Sequence, residues 1–369
     1  MYNIHSHYEN IFLALQPIVT YRRLLYLRPF GATQPENIET ITDYYGHISG
    51  YVKNSPMFIF YDQEPIYGEY NHRLLDYVQE KFQAPFVLVT TEQNSEPLDT
   101  IKQRYNWPTA YYFHHAFAAA DWFRGYRYHP LMIDPGKRTL SKKYICFNRL
   151  TGGHRVYRTL LVSELAKRNL LDYGHVSYSK ICPDGGDYVE HLESSQLDAT
   201  LIKDTISTVE QLPELRIDFK DRSIPNQSFT LNAIPETQES FVYVVTETCY
   251  WDRKDHLTEK VFKPIVSRMP FIVVGPAGSL KYLRSYGFKT FDYWWDESYD
   301  TIEDPVERMT AVTNLIQKIC GYDLRDLEDL LKEMQSTLDH NYRRFYSNGF
   351  LDQCWSELRE NLSHAVSCI

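Results

Sequence analysis

Short apolar runs recur along the chain, and each ends on polar or charged residues. Met57-Phe58-Ile59-Phe60-Tyr61 runs into Asp62-Gln63-Glu64-Pro65, and Pro85 to Thr90 (PFVLVT) runs into Thr91-Glu92. Lys143 to Phe147 runs into Asn148-Arg149, and Phe241 to Thr246 ends on Glu247. Phe271 to Val274 leads to Gly275-Pro276, and a shorter run at Tyr111-Tyr112-Phe113 precedes His114-His115. Runs this short and this apolar read as strands buried on both faces. Between them the apolar positions fall three and four apart, as at Leu74, Leu75, Val78 and Phe82, and again at Val156, Leu160, Leu161 and Leu165. That spacing predicts helices over 72–82 and 156–169. Leu324, Leu327, Leu331, Met334 and Leu338 predict a long helix, and Leu351, Cys354, Trp355, Leu358 and Leu362 a last one. Strands alternating with helices predict an α/β fold with parallel sheets.

A turn-rich, basic stretch from Arg124 to Ser141 is the candidate linker. It divides the chain into a first domain over 1–135 and a second over 136–340. A C-terminal helix over 341–369 is expected to pack back on the first domain. The polar stretch from Asp184 to Glu239 reads as irregular, an insertion or a lid on the acceptor side.

Length agrees with two domains, because 369 residues exceed the ~250–300 at which single cores stop growing. Hydrophobic residues make up 43% of the chain, enough for two cores. The net charge of −9 gives no global attraction to nucleic acid. The first residues lack the basic start and long apolar run of a secretory signal, and no window approaches ~20 apolar residues. The expectation is a cytoplasmic protein without a membrane segment. Its six cysteines are widely spaced with no CxxC, so they read as reduced thiols, with Cys146 and Cys249 as packing residues.

Chemistry gathers at three strand ends. After Glu247 a polar loop closes on His256-Leu257-Thr258-Glu259-Lys260. Thr258 suits an N-cap, and Glu259 and Lys260 then fall in a first helical turn, where backbone N–H groups and a lysine favour a phosphate. A carboxylate there suits ribose hydroxyls. The alternative is a capped surface helix with solvated charges. After Phe147, the residues Asn148, Arg149, His154, Arg155 and Arg158 surround Gly152-Gly153. Glycines let a backbone approach a ligand, and guanidinium groups grip phosphate oxygens; the alternative is an Arg-rich helix start facing water. The third end is Asp62-Gln63-Glu64-Pro65, with a carboxylate two residues from another. No Walker A, GxGxxG, HExxH or CxxC pattern occurs. His114-His115 reads as a strand cap or cleft lining rather than a metal site.

Glu247, then Thr258-Glu259-Lys260, then Pro270-Phe271-Ile272-Val273-Val274-Gly275-Pro276 resembles the donor-binding block of glycosyltransferase family 10, the α1,3-fucosyltransferases. Leu280 to Phe291 is similar to a tail found in phage and bacterial glycosyltransferase-like proteins. The match covers roughly the C-terminal half. It departs at Thr246-Glu247-Thr248 (the family has Phe-Glu-Asn), at His256 (usually Tyr) and at Pro264, which interrupts the helix after Lys260.

The resemblance implies two Rossmann-like domains facing a cleft, of the GT-B type. It implies an inverting transferase moving fucose or another hexose from a nucleotide-diphosphate donor, GDP among the candidates, to a hydroxyl acceptor. Donor-binding residues would be Asn148, Arg149, Arg155, Arg158, Glu247, His256, Thr258, Glu259 and Lys260, with Arg155 the better match to the family's arginine and Arg158 the second. Glu64 resembles the family's proposed general base, with Asp62 the alternative. No cofactor or metal is expected, since Arg, Lys and a helix dipole can face the diphosphate. The alternatives are a non-catalytic glycan- or nucleotide-binding relative and a phage-type transferase acting on modified DNA bases, against which the acidic balance weighs.

Overall fold

The computed structural model describes residues 57–61, 65–66, 68–83, 85–124, 138–217 and 234–369, the strand backbones at 24–27 and 41–44, and a few positions between 11 and 18. The chain forms two compact units. One comprises Met1–Ala118, Lys254–His256 and Leu351–Ile369, and the other Ala119–Arg253 and Leu257–Phe350.

In the first unit, β1 (Leu24–Leu27), β2 (Ile41–Tyr44), β3 (Met57–Tyr61), β4 (Phe86–Thr90) and β5 (Thr109–Tyr111) form one sheet in the order β2-β1-β3-β4-β5. Only the β1–β2 pair is antiparallel. Every residue of β3 and β4 is buried, as expected of strands covered on both faces. Helices Gly68–Phe82 and Glu96–Tyr105 supply Leu74, Leu75, Val78, Leu98 and Ile101 to the core over Ile59 and Leu88. The run expected to be a strand at 111–113 ends sooner, at Tyr111, because a helix begins at His114.

The second unit holds β6 (Lys142–Phe147), β7 (Gly174–Ser177), β8 (Ser240–Thr246) and β9 (Phe271–Val274), all parallel, in the order β7-β6-β8-β9. From β6 the chain passes to β7 on one side and then to β8 on the other. The carboxyl ends of β6 and β8 therefore flank a topological switch point, where open α/β sheets bind ligands. Helix Tyr157–Lys167 follows β6 and closes on Asn169 in the left-handed region, with Leu170 N bonded to Leu165 O and Asn169 N to Ala166 O. The heptad-like leucines build helix Leu324–Tyr346, which buries Leu327, Leu331, Met334 and Leu338.

The stretch over 184–239 is not irregular in its described part. Tyr188–Glu193 and Ala199–Glu210 are helices, the first with a capping box of Asp187 and Glu190, the second capped by Asp198. Each buries few residues, Leu192 in one and Thr205 and Val209 in the other, so their apolar signal is weak and their caps are the legible feature. Asp198 accepts the backbone N–H of Thr200 and Leu201. Asp198→Ala is expected to lower the urea midpoint with an unchanged m-value, as the loss of a helix cap does.

Pro264 does not break its helix. The segment is a 3-10 turn, Glu259–Val261, continuing into Phe262–Val266. Pro264 therefore lies in the opening turns, where a missing N–H costs little. Arg268 in the left-handed region closes the segment, with Met269 N bonded to Pro264 O. No helix among the described residues is long and apolar enough to cross a membrane.

Candidate functional site

Loops leaving β6, β7 and β8 enclose a cavity of about 480 Å³ in the second unit. That is within the ~300–1,000 Å³ of small-molecule sites. Phe147, Tyr243 and Val245 give it an apolar wall, while Arg149, Arg158, Arg216, Lys260 and Lys263 bring cationic side chains and Glu214 and Glu259 acidic ones. Arg216 is bridged to Glu214 at 2.7 Å.

The turn Thr258-Glu259-Lys260 is held from behind by Glu247. This glutamate is fully buried at the end of β8. Its carboxylate accepts Thr258 Oγ1 at 2.5 Å, Thr258 N at 3.3 Å and Thr248 N at 3.2 Å. Thr258 in turn caps the helical turn. Lys260 Nζ donates to Thr248 Oγ1 and Thr258 Oγ1, both at 2.9 Å, and sits 3.9 Å from Glu247. A fully desolvated carboxylate needs such donors, and they fix where the ammonium of Lys260 reaches the cavity. Glu247 and Thr258 thus position the site and do not line it, whereas Glu259 and Lys260 do.

Arg158 also differs from the expectation of a phosphate grip or a solvated helix start. It is buried, and its guanidinium donates to Leu150 O at 2.8 Å, Thr246 O at 2.9 Å and Glu247 O at 2.8 Å. It stitches the loop after β6 to the end of β8, so although it lines the cavity its guanidinium is committed to backbone carbonyls. Tyr157 joins it, donating to Glu247 O at 2.5 Å. Arg155 lies half-buried in the turn Gly153–Arg155, away from the cavity lining, and the exposed Arg149 is the arginine with freedom to reach a ligand. Gly152 leaves room for the ring of His191, whose Nε2 would lie 2.4 Å from an added Cβ, rather than for a ligand.

Asn148 contributes an acceptor. It is 2% exposed, and its Nδ2 is committed to Ser177 O at 3.2 Å and Cys146 Sγ at 3.4 Å. Oδ1 is buried without a hydrogen-bond partner. A buried orphan acceptor at a cavity wall is costly in the empty site and is satisfied by an N–H or O–H from a ligand.

Lys263 is the residue that the sequence reading missed. It stands one turn beyond Lys260 on the cavity wall. Its ammonium is lowered to about 8, chiefly by desolvation, with Glu259 opposing the shift and Lys260 adding to it. The signal in the sequence was its i+3 spacing from Lys260, hidden because Pro264 suggested that the helix stopped there. Cys146 is buried behind Asn148, and burial pushes its thiol up to about 11, an unreactive packing residue.

His256 does not join this cavity. It groups with the first unit, 2% exposed, with Nδ1 3.1 Å from Thr91 O and its ring 5.4 Å from that of His115. His115 in turn lies 5.1 Å from His114 at the start of helix His114–Arg124. Beside them the buried Glu92 accepts Ile66 N at 2.7 Å and Ser95 Oγ, with Lys254 Nζ at 3.6 Å. Among the described residues no group of three or more His, Cys, Asp and Glu is placed to hold a metal ion. Asp62 and Glu64 lie outside the described residues. No known family model matches the chain, and no curated protein matches it.

Proposed function

We propose that the cavity at the β6–β8 switch point binds the nucleoside diphosphate of a sugar donor, and that the chain is an inverting, nucleotide-sugar-dependent glycosyltransferase. The observation that carries this reading is the lining itself: Arg149, Lys260 and Lys263 beside an apolar wall and the partnerless acceptor of Asn148. Cations suit the diphosphate, the apolar wall a base or sugar face, and Asn148 Oδ1 a base N–H or a hydroxyl. Glu259 at the wall suits ribose hydroxyls. The resemblance to family 10 in this segment and the two α/β units agree with a GT-B-type pair of Rossmann-like domains.

In such a transfer an acceptor oxygen attacks C1 of the sugar from the face opposite the diphosphate. The new C–O bond forms as the C1–O bond to phosphate breaks. The electron pair leaves with the diphosphate, and the acceptor proton passes to a carboxylate. Arg149, Lys260 and Lys263 would face the developing diphosphate charge. The helical segment behind them is too short to add much dipole, so the side-chain cations carry this role. Glu64, with Asp62 as the alternative, is the proposed proton acceptor.

The test is thermal melting with GDP, UDP, ADP, CDP and TDP. One of them is expected to raise the melting temperature of the wild type by mass action, and Lys260→Ala and Arg149→Ala to remove most of that rise. A wild type that responds to none of the five, or variants that respond as the wild type does, would overturn the assignment.

A further inference from the structure

A second cavity of about 530 Å³ opens in the second unit beside the far end of the loop that carries Arg149, between Gly153 and Val156. Its chemistry differs from that of the first. Among the described residues it is lined by no Lys or Arg, unlike the first cavity. It is lined instead by an aromatic ring among short polar side chains: Trp251 with His154, Ser194, Gln196 and Asp252, and the apolar Val306.

Trp251 is held rigidly. Its indole Nε1 donates to His154 O at 2.8 Å. Its ring stands perpendicular to Tyr250 at 5.3 Å and to Tyr157 at 6.4 Å, two rings that stack on each other at 4.4 Å. Tyr157 is anchored to the strand ends by its bond to Glu247 O. The indole N–H is therefore already satisfied, and what Trp251 has left to offer at the cavity is apolar ring surface. A fixed ring bordered by hydroxyl, amide and carboxylate groups fits a ligand with an apolar C–H face and a rim of hydroxyls. Val306 is 41% exposed, unusually open for its type, and extends the apolar surface.

We infer that this second cavity is a carbohydrate-binding site for a neutral saccharide, with Trp251 as the stacking platform and Gln196 and Asp252 as hydroxyl partners. The assignment rests on the lining of this cavity alone and stands whether or not the first cavity binds a nucleotide. In a transferase such a site would hold part of an acceptor or product glycan.

Saturation-transfer NMR on the full chain tests it, with lactose, N-acetyllactosamine, maltose, cellobiose and chitobiose as probes. At least one disaccharide is expected to receive magnetisation. Trp251→Ala should weaken its binding by about tenfold or more, equivalent to the ~1.4 kcal/mol of one stacking face. Because Trp251 also packs against Tyr250, a Gln196→Ala/Asp252→Ala variant is run beside it. Both of these residues are exposed, so the fold is retained while saccharide signal falls. Lys260→Ala is expected to keep the saccharide signal while losing the nucleotide response, which separates failure of one site from failure of the other. The inference is overturned if no disaccharide binds the wild type, if the Gln196/Asp252 variant binds as tightly as wild type, or if Lys260→Ala is the variant that loses the saccharide.

Discussion

Arg158→Met is expected to destabilise the second unit by about 3 kcal/mol and to abolish the nucleotide response together with it. Hydrogen bonds from a charged donor contribute roughly 1.5–3 kcal/mol each, and Arg158 makes three to backbone carbonyls. Part of that is offset, because a methionine does not have to be desolvated as a guanidinium does. What remains is the cost of leaving Thr246 O, buried, and Leu150 O, partly buried, without this donor, whereas Glu247 O keeps Tyr157. Arg158→Lys should recover less than half of the loss, since one ammonium cannot span carbonyls on two segments as the planar fork does. Urea unfolding with an unchanged m-value is the measurement. Should Arg158→Met unfold within about 0.5 kcal/mol of the wild type, the range of an ordinary surface change, the stitching role is wrong.

The same residue shows what could and could not be seen in the sequence. An arginine opening a helix after a strand is visible in the sequence, and a guanidinium there opposes the helix dipole and calls for an acceptor partner. Which acceptor it takes depends on where the end of β8 lies, eighty-eight positions away in the chain, and no local pattern records that. The strands were legible for the opposite reason. Buried throughout in β3, β4, β8 and β9, and at the centre of β6, these strands are apolar along most or all of their length, so each announces itself locally. Ile41–Tyr44, Ile-Thr-Asp-Tyr, carries no such run, and Leu24–Leu27 is apolar but only four residues long between arginines; neither is among the expected strands. Nor was helix Pro305–Gly321, although Asp304 caps it with Pro305 in its first turn. Thr258 is the N-cap that its place before Glu259-Lys260 predicts. His256, two residues earlier, is a donor-site residue only through the resemblance, at a position where the family usually has Tyr. The chain in fact lends Lys254–His256 to the first unit, where a buried lysine finds Glu92 and a buried histidine finds Thr91 O. Neighbouring positions in a loop carry no guarantee of a shared site.

Lys263 yields the prediction that ties the cavity to pH. Its ammonium is lowered to about 8 chiefly by desolvation, a shift that Glu259 opposes and the like charge of Lys260 aids. An anionic ligand favours the charged form, so binding draws the value back towards the ordinary 10.5. Below pH 8 Lys263 is charged in the free protein, and affinity should be flat. Between the free and bound values binding must take up a proton, so affinity should fall by up to tenfold per pH unit, at most about sixtyfold between pH 7.5 and pH 10. Lys263→Met should bind more weakly at pH 7 and show none of that decline. The comparison is made as the ratio of wild-type to variant affinity for one sugar nucleotide, in which the ligand's own titrations cancel. Ligand-free stability should respond with the opposite sign. A lysine whose folded value is depressed burdens the folded state fully below pH 8, and the burden fades as pH rises from 8 towards 10.5. Lys263→Met is therefore expected to be the more stable protein at neutral pH and the weaker binder. A ratio that stays constant from pH 7 to pH 10 would remove Lys263 from the anion site and leave the diphosphate to Arg149 and Lys260.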